Sequence, residues 1–234
     1  IKSRDIYLGS IPWIFLQLVL VVLIITFPAI VDYWIADAAK LNDAGVQQQL
    51  DDIQMPTIAP LDLTDGDSIA RLAAAVTQRW GKLDVLILNA AMLGTLSPVS
   101  AIDGAEFARL FTLNVSAQQV MIASFDALLR KSESGRLVAL TSSVGATPRA
   151  FWGAYGASKA ALENLVDSYG EEVKNLSQVR TAVVDPGRTR TTMRAKAYPG
   201  EDPATVKEPA VVADAILNML ETEFESGHRL VLEG

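Results

Sequence analysis

From about residue 56 onward the apolar positions switch repeatedly between two periods. Thr57 to Leu63 reads as a short strand that ends in Asp62-Leu63-Thr64-Asp65. Ile69, Leu72, Ala73, Val76 and Trp80 then recur at helical spacing, and Gly81 stands where that helix should stop. Leu83 to Leu88 is a continuous apolar strand, with Asp84 as its one charge, and it runs into Asn89-Ala90-Ala91. A long helix is predicted from about Asp103 to Leu129, followed by Gly135 and the strand Arg136 to Leu140. Trp152 to Val166 opens a further helix, and the strand Arg180 to Val184 is broken by Asp185-Pro186-Gly187. Pro209 can start a last helix in its first turn, and His228 to Leu232 makes a final short strand. Continuous apolar strands separated by amphipathic helices predict an α/β fold: one domain with a doubly wound parallel sheet covered on both faces.

Sheets of this kind bind ligands beyond the carboxyl ends of their strands. Polar residues follow the predicted strands in turn: Asp62, Asn89, Ser142-Ser143, then Pro186-Gly187. Turn residues alone could occupy these places, but a structural domain has less reason to load each with ligand-bonding side chains. The long helix adds Asn114, on an apolar stripe with Phe107, Leu110, Phe111, Val115, Gln118, Met121, Ile122 and Phe125. A buried amide must be hydrogen-bonded or cost stability. Either it satisfies a local helix kink, or it forms part of a polar relay to a site.

Tyr155 and Lys159 are four positions apart in a helical segment, so they share a face. An ammonium beside a phenol favours the phenolate and lowers its pKa, which suits acid/base work near neutral pH.

Composition narrows the choices. With 234 residues the chain can bury a full core. A net charge of −7 and the lack of a long basic run argue against a nucleic-acid partner. The absence of cysteine removes disulfides, thiolate zinc sites and cysteine nucleophiles, and fits a cytoplasmic protein. The single histidine, His228, has no G-x-S-x-G elbow to accompany it, so a Ser-His-Asp hydrolase is not indicated. One histidine also leaves little for a transition-metal site, and no metal is expected.

Together these motifs resemble the short-chain dehydrogenase/reductase family over roughly residues 56 to 234, and in particular a bacterial type of it. In order they are Asp62-Leu63-Thr64-Asp65, Asn89-Ala90-Ala91, Asn114, Ser142-Ser143, Tyr155-x-x-x-Lys159 and Pro186-Gly187-Arg188-Thr189-Arg190-Thr191. The resemblance implies a Rossmann-like oxidoreductase that transfers hydride between NAD or NADP and a carbonyl or alcohol substrate. It implies that Tyr155 exchanges the hydroxyl proton, that Lys159 lowers its pKa and bonds the nicotinamide ribose, and that Asn114 positions a water linking Lys159 to solvent. Asp62 and Leu63 would contact adenine, and Asn89, Ala90 and Ala91 would pack along the cofactor beside Pro186 and Gly187. Thr189 and Thr191 would hold the carboxamide. Counting back from Tyr155 favours Ser142 as the serine that holds the substrate oxygen, with Ser143 as the alternative. The family also implies a homo-oligomer, a dimer or tetramer, built through the two long helices.

The first 55 residues depart from the family pattern. A glycine-rich turn that lets backbone amides approach the pyrophosphate should fall near residues 12 to 20. That stretch reads Pro12-Trp13-Ile14-Phe15-Leu16-Gln17-Leu18-Val19-Leu20. Ile11 to Val31 is uncharged and long enough for a membrane span, preceded by Lys2 and Arg4 but interrupted by Pro12, Gln17 and Pro28. It can instead be a degenerate first β-α-β unit, or text that is not the native sequence, as a frameshift would leave. The spacing to Asp62 favours a replaced nucleotide unit over a span. Three functions therefore stand side by side: an active oxidoreductase, a cofactor-deficient binding or oligomer-forming subunit, and a membrane-anchored reductase.

Overall fold

The computed structural model describes residues 61–233. The apolar stretch, the absent glycine turn and the start of the Thr57–Leu63 strand lie outside the described residues. Leu61 and Asp62 are not in a strand, and Leu63 and Thr64 form a turn.

Four strands make one sheet: β1 (Val85–Leu88), β2 (Arg136–Leu140), β3 (Arg180–Asp185) and β4 (His228–Val231). Their order is β1-β2-β3-β4 and every pairing is parallel. The register sets Leu88 beside Ala139, Leu140 beside Val184, and Asp185 beside Val231. The strand ends therefore line up along one edge, and the loops that leave them are neighbours. The predicted start at Leu83 is two residues early, because the Leu83 N–H bonds the Leu128 carbonyl at the end of a helix instead of joining the ladder.

The helices are α1 (Gly66–Trp80), α2 (Gly104–Phe111), α3 (Ala117–Leu129), α4 (Ser143–Ala146), α5 (Gly153–Val173), α6 (Thr192–Ala197) and α7 (Pro209–Leu220). Asp65 caps α1 by accepting from the Asp67 N–H, and Gly81 ends it in the left-handed region at φ 72°. The helix predicted over Asp103 to Leu129 is α2 and α3 joined by a π-helical turn, Thr112–Ser116, with Asn114 inside it.

Alternating residues of the strands serve opposite faces. Leu137, Ala139 and Val183 pack with Ile69 of α1, Phe125 of α3 and Val166 of α5. Val138, Ala182 and Val184 pack with Val212, Ile216 and Met219 of α7. Each fully buried aliphatic side chain is worth roughly 1.5–3 kcal/mol, whereas exposed ion pairs such as Lys82–Asp84 contribute about 0–1 kcal/mol. The two apolar layers hold the fold. A Cβ at Gly156 would lie 2.7 Å from the Val144 carbonyl, so only glycine lets α5 lie against α4 at that height. That contact sets the position of the neighbouring Tyr155. Among the described residues no helix is long and apolar enough to cross a membrane.

Candidate active site

A cavity of about 720 Å³ opens at the carboxyl edge of the sheet. The β1 exit contributes Asn89, Ala90 and Ala91, the β2 exit Thr141 and Ser142, and the β3 exit Asp185, Pro186 and Gly187. Thr189, Thr191 and Arg194 line it beyond β3, and Tyr155 and Lys159 reach it from α5. The wall around the phenol is apolar: Tyr155 packs with Leu93 and Val144, backed by Trp152, Met193 and Ala197. Trp152 meets Tyr155 edge-on at 6.0 Å and stacks on Tyr198 at 5.8 Å.

Tyr155 is 7% exposed and Lys159 3%. The Lys159 Nζ lies 5.7 Å from the centre of the Tyr155 ring and donates to the Leu140 carbonyl at 2.7 Å. One of its three N–H donors is thereby used within the chain, and two are left for a ligand. Burial pushes the Tyr155 phenol up to about 12, and the negative charge of Asp185 adds to the rise. Burial also pulls the Lys159 ammonium down to about 8, against the raising effect of Glu163. The net direction for the Tyr155 phenol is thus upward, where the neighbouring ammonium alone would lower it. Desolvation of the phenol outweighs a neighbour whose own charge is costly to keep.

Ser142 lines the cavity, whereas Ser143 is exposed as the first residue of α4 and does not line it. Asn114 is fully buried. Its Oδ1 accepts from the Met92 N–H at 2.8 Å, and its Nδ2 donates to the Met92 carbonyl at 2.9 Å and to the Ser158 Oγ at 3.0 Å. Ser158 in turn donates to the Tyr155 carbonyl at 2.8 Å. The amide thus satisfies a kinked helix and also ties the β1 exit to the helix that carries Tyr155. Its side chain makes no bond to Lys159.

Asn89, Ala90, Ala91, Pro186, Gly187, Thr189 and Thr191 all reach the cavity. Thr189 spends its hydroxyl on the Pro186 carbonyl at 3.0 Å, and Thr191 caps α6 by accepting from the Arg194 N–H at 3.1 Å. Gly187 has φ +60°, and a Cβ there would lie 2.2 Å from the Leu232 carbonyl oxygen. Asp62 and Leu63 do not line the cavity. The Asp62 carboxylate is taken up by the Thr64 N–H and hydroxyl at 2.8 and 2.7 Å, and Leu63 packs on the main core. Sequence reasoning missed Asp185, Gln118 and Ser158. Gln118 was taken as part of an apolar stripe, yet its Nε2 donates to the Ala90 carbonyl at 3.1 Å and to Leu113 at 3.0 Å. A polar residue four positions after Asn114 on that stripe was the signal available. Among the described residues no cluster of His, Asp or Glu could hold a metal ion.

The short chain dehydrogenase family model matches residues 34–202. The uncharacterized oxidoreductase YciK of Escherichia coli K12 is 37% identical over 144 residues, 62% of this chain and 56% of that one. The sorbitol dehydrogenase of Cereibacter sphaeroides is 35% identical over 130 residues, 53% of this chain and 50% of that one. The chain therefore spans about half the length of these curated relatives. Among solved structures, E. coli YciK matches with a TM-score of 0.71 at 32% identity, covering 76% of this chain and 73% of that one. A Shigella flexneri 2a chain complexed with NADP matches with a TM-score of 0.71 at 32% identity, covering 76% and 75%.

Proposed function

The chain belongs to the short-chain dehydrogenase family, and from that premise we propose that it is an oxidoreductase moving hydride between NAD or NADP and a carbonyl or alcohol carbon. The observation that carries the reading is the meeting of Ser142, Tyr155 and Lys159 in one cavity with the three strand exits. The cavity suits a dinucleotide's reactive end. Its volume lies within the usual range for cofactor sites, about 300–1,000 Å³. Lys159 has two donors spare for ribose hydroxyls, and Ala90 and Ala91 offer low walls for a flat ring. Bound there, the nicotinamide would supply or accept the hydride.

The chain's own residues handle the proton and the substrate oxygen. With its phenol held up to about 12, Tyr155 keeps its proton at neutral pH and is poised to give it to a carbonyl oxygen. Ser142 donates to the same oxygen and fixes its position. Lys159 stands behind Tyr155 as the charge that supports the phenolate left after transfer. Asn114 acts on this group through Met92 and Ser158. Trp152, Leu93, Met193 and Ala197 suit a substrate with an apolar body next to its carbonyl. A cytoplasmic location and a homo-oligomer built through residues 103–129 and 155–176 complete the proposal.

A fluorescence titration with NADH and NADPH tests the reading, and a dissociation constant at or below the micromolar range is expected. No binding of either at millimolar concentration would refute it and favour the cofactor-deficient subunit, the rival that the bulky residues 12 to 20 keep in view.

A further inference from the structure

One buried acid has no part in the chemistry above. Glu163 lies on α5 one turn beyond Lys159 and two turns beyond Tyr155, and is 8% exposed. A carboxylate that deep must be paired and hydrogen-bonded. The Thr141 hydroxyl, at the β2 exit, donates to Oε1. Arg229 of β4 donates from Nη1 to Oε2 at 2.8 Å and from Nη2 to Asp167 at 3.2 Å. Room for the acid is made by Gly145 of α4. A Cβ there would lie 3.2 Å from Glu163 Oε1 and 3.2 Å from the Lys159 Cβ. The Arg229 side chain is 46% exposed. Arg229 thus reaches from solvent to one oxygen of Glu163 and Thr141 holds the other, while Lys159 lies one helical turn away on the same face of α5.

We propose that Glu163 is a positioning residue of the site: a buried carboxylate that holds Lys159 in its charged form, with Arg229 placed against it to moderate that effect. The proposal rests on Lys159 being a working residue of the oxidoreductase. The other charged groups around Lys159 do not duplicate this role. Tyr155 on the same helix is neutral at neutral pH. Asp185 at the end of β3 gives its Oδ1 to the Gly187 N–H at 2.9 Å, and Arg194 of α6 is bound to Glu201 at 2.6 Å. Asp167 is one turn further out and shares Arg229. The residues of α7 that line the cavity are uncharged. Of the acids, it is Glu163 that raises the proton affinity of Lys159 against its burial.

Two substitutions separate this role from a purely structural one, because they act in opposite directions. Glu163→Gln keeps the shape and one acceptor for Arg229, and its amide N–H can donate to the Thr141 hydroxyl oxygen, but it removes the charge that favours the ammonium. Arg229→Gln removes the cation that offsets that charge. Lysine carrying ¹³C at its ε carbon is introduced into the full-length, ligand-free chain, the Lys159 signal is assigned with Lys159→Arg, and its titration is followed by NMR. The Lys159 midpoint is expected to fall in Glu163→Gln and rise in Arg229→Gln, each by about threefold or more in proton affinity. The alkaline limb of kcat/KM should move the same way in each variant. Unmoved midpoints, or shifts in the same direction in both variants, would overturn the proposal. If Glu163→Gln does not fold, the exposed Arg229→Gln decides alone: an upward shift supports the proposal, and no shift or a downward one overturns it. The NMR midpoint is read without cofactor, so failure of nucleotide binding would leave this result distinct.

Discussion

Replacing Lys159 by methionine should make the protein more stable at neutral pH while abolishing hydride transfer. A fall in the Lys159 pKa from 10.5 to about 8 corresponds to roughly 3 kcal/mol spent on keeping the ammonium charged in its buried place. Methionine matches the aliphatic stem and carries no charge. Two losses offset the gain. The Leu140 carbonyl loses its 2.7 Å donor, at about 1 kcal/mol, and Glu163 loses a neighbouring cation while keeping Arg229 and Thr141. The net expectation is about 1–2 kcal/mol of added stability at pH 7. Its pH dependence has a definite sign. Lys159 is depressed in the folded state, so above about 8 the native chain has released a proton that the unfolded chain holds until near 10.5. Wild-type stability therefore climbs with pH across that window, and its contribution is lost as pH falls through about 8. The variant lacks this term, so its advantage should shrink and vanish as pH rises through the window. Tyr155 is common to both proteins and begins to count only above 10. Urea unfolding of both proteins at pH 7 and pH 9.5 reads the difference directly. A variant less stable than wild type at pH 7, or a gap that does not change between the two pH values, would refute the reasoning.

Asn114→Ala should cost about 3–5 kcal/mol in urea unfolding, since it strips both the N–H and the carbonyl of Met92 of their partner and leaves Ser158 with one bond; a loss under 1 kcal/mol would mean that water replaces the amide. Ser142→Ala should lower kcat/KM by about 100-fold or more, while Ser143→Ala, on an exposed helix start, should stay within about twofold; the reverse pattern would move the role to Ser143. Gly187→Ala should destabilise by about 1–3 kcal/mol and weaken nucleotide binding, because a Cβ there meets the Leu232 carbonyl at 2.2 Å and the backbone is left-handed; a melting curve and an NADPH titration check the two effects.

The sheet was readable in the sequence because its strands are apolar on both faces. Arg136–Leu140 could be drawn from composition alone, and Pro209 and Gly81 marked helix ends by their backbone chemistry. The Tyr155 and Lys159 pair and Ser142 were visible because their spacing in sequence maps directly onto one helix face and one strand end. Electrostatic balance was not visible. Local spacing puts an amine near a phenol, but burial of both groups decides the direction of their pKa shifts, and the phenol is buried in part by Leu93, 62 residues before it. The short helices α4 and α6 escaped notice because neither is long enough to show a period. Glu163 was hidden for a different reason: its partners Thr141 and Arg229 are 22 and 66 residues away.

Asn114 and Gln118 show why the π turn stands where it does. Both are buried amides on one helix, and both direct their side chains to main-chain atoms of the loop leaving β1: Met92 for the first, Ala90 for the second. That loop lines the cavity yet belongs to no ladder, so its polar backbone needs partners outside the sheet. The turn widens the helix at the point of contact. The Ala117 N–H bonds back to Thr112, and the Leu113 carbonyl accepts the Gln118 side chain. The helix gives up regular hydrogen bonding over Thr112–Ser116 so that two amides can fix a loop, and Asn114 extends the same hold to Tyr155 through Ser158. In this arrangement the two amides govern where Tyr155 and the cavity wall formed by the β1 loop lie relative to each other. Loss of either should loosen the site as well as lower global stability, since the bonds that fix the β1 loop and Tyr155 go with it.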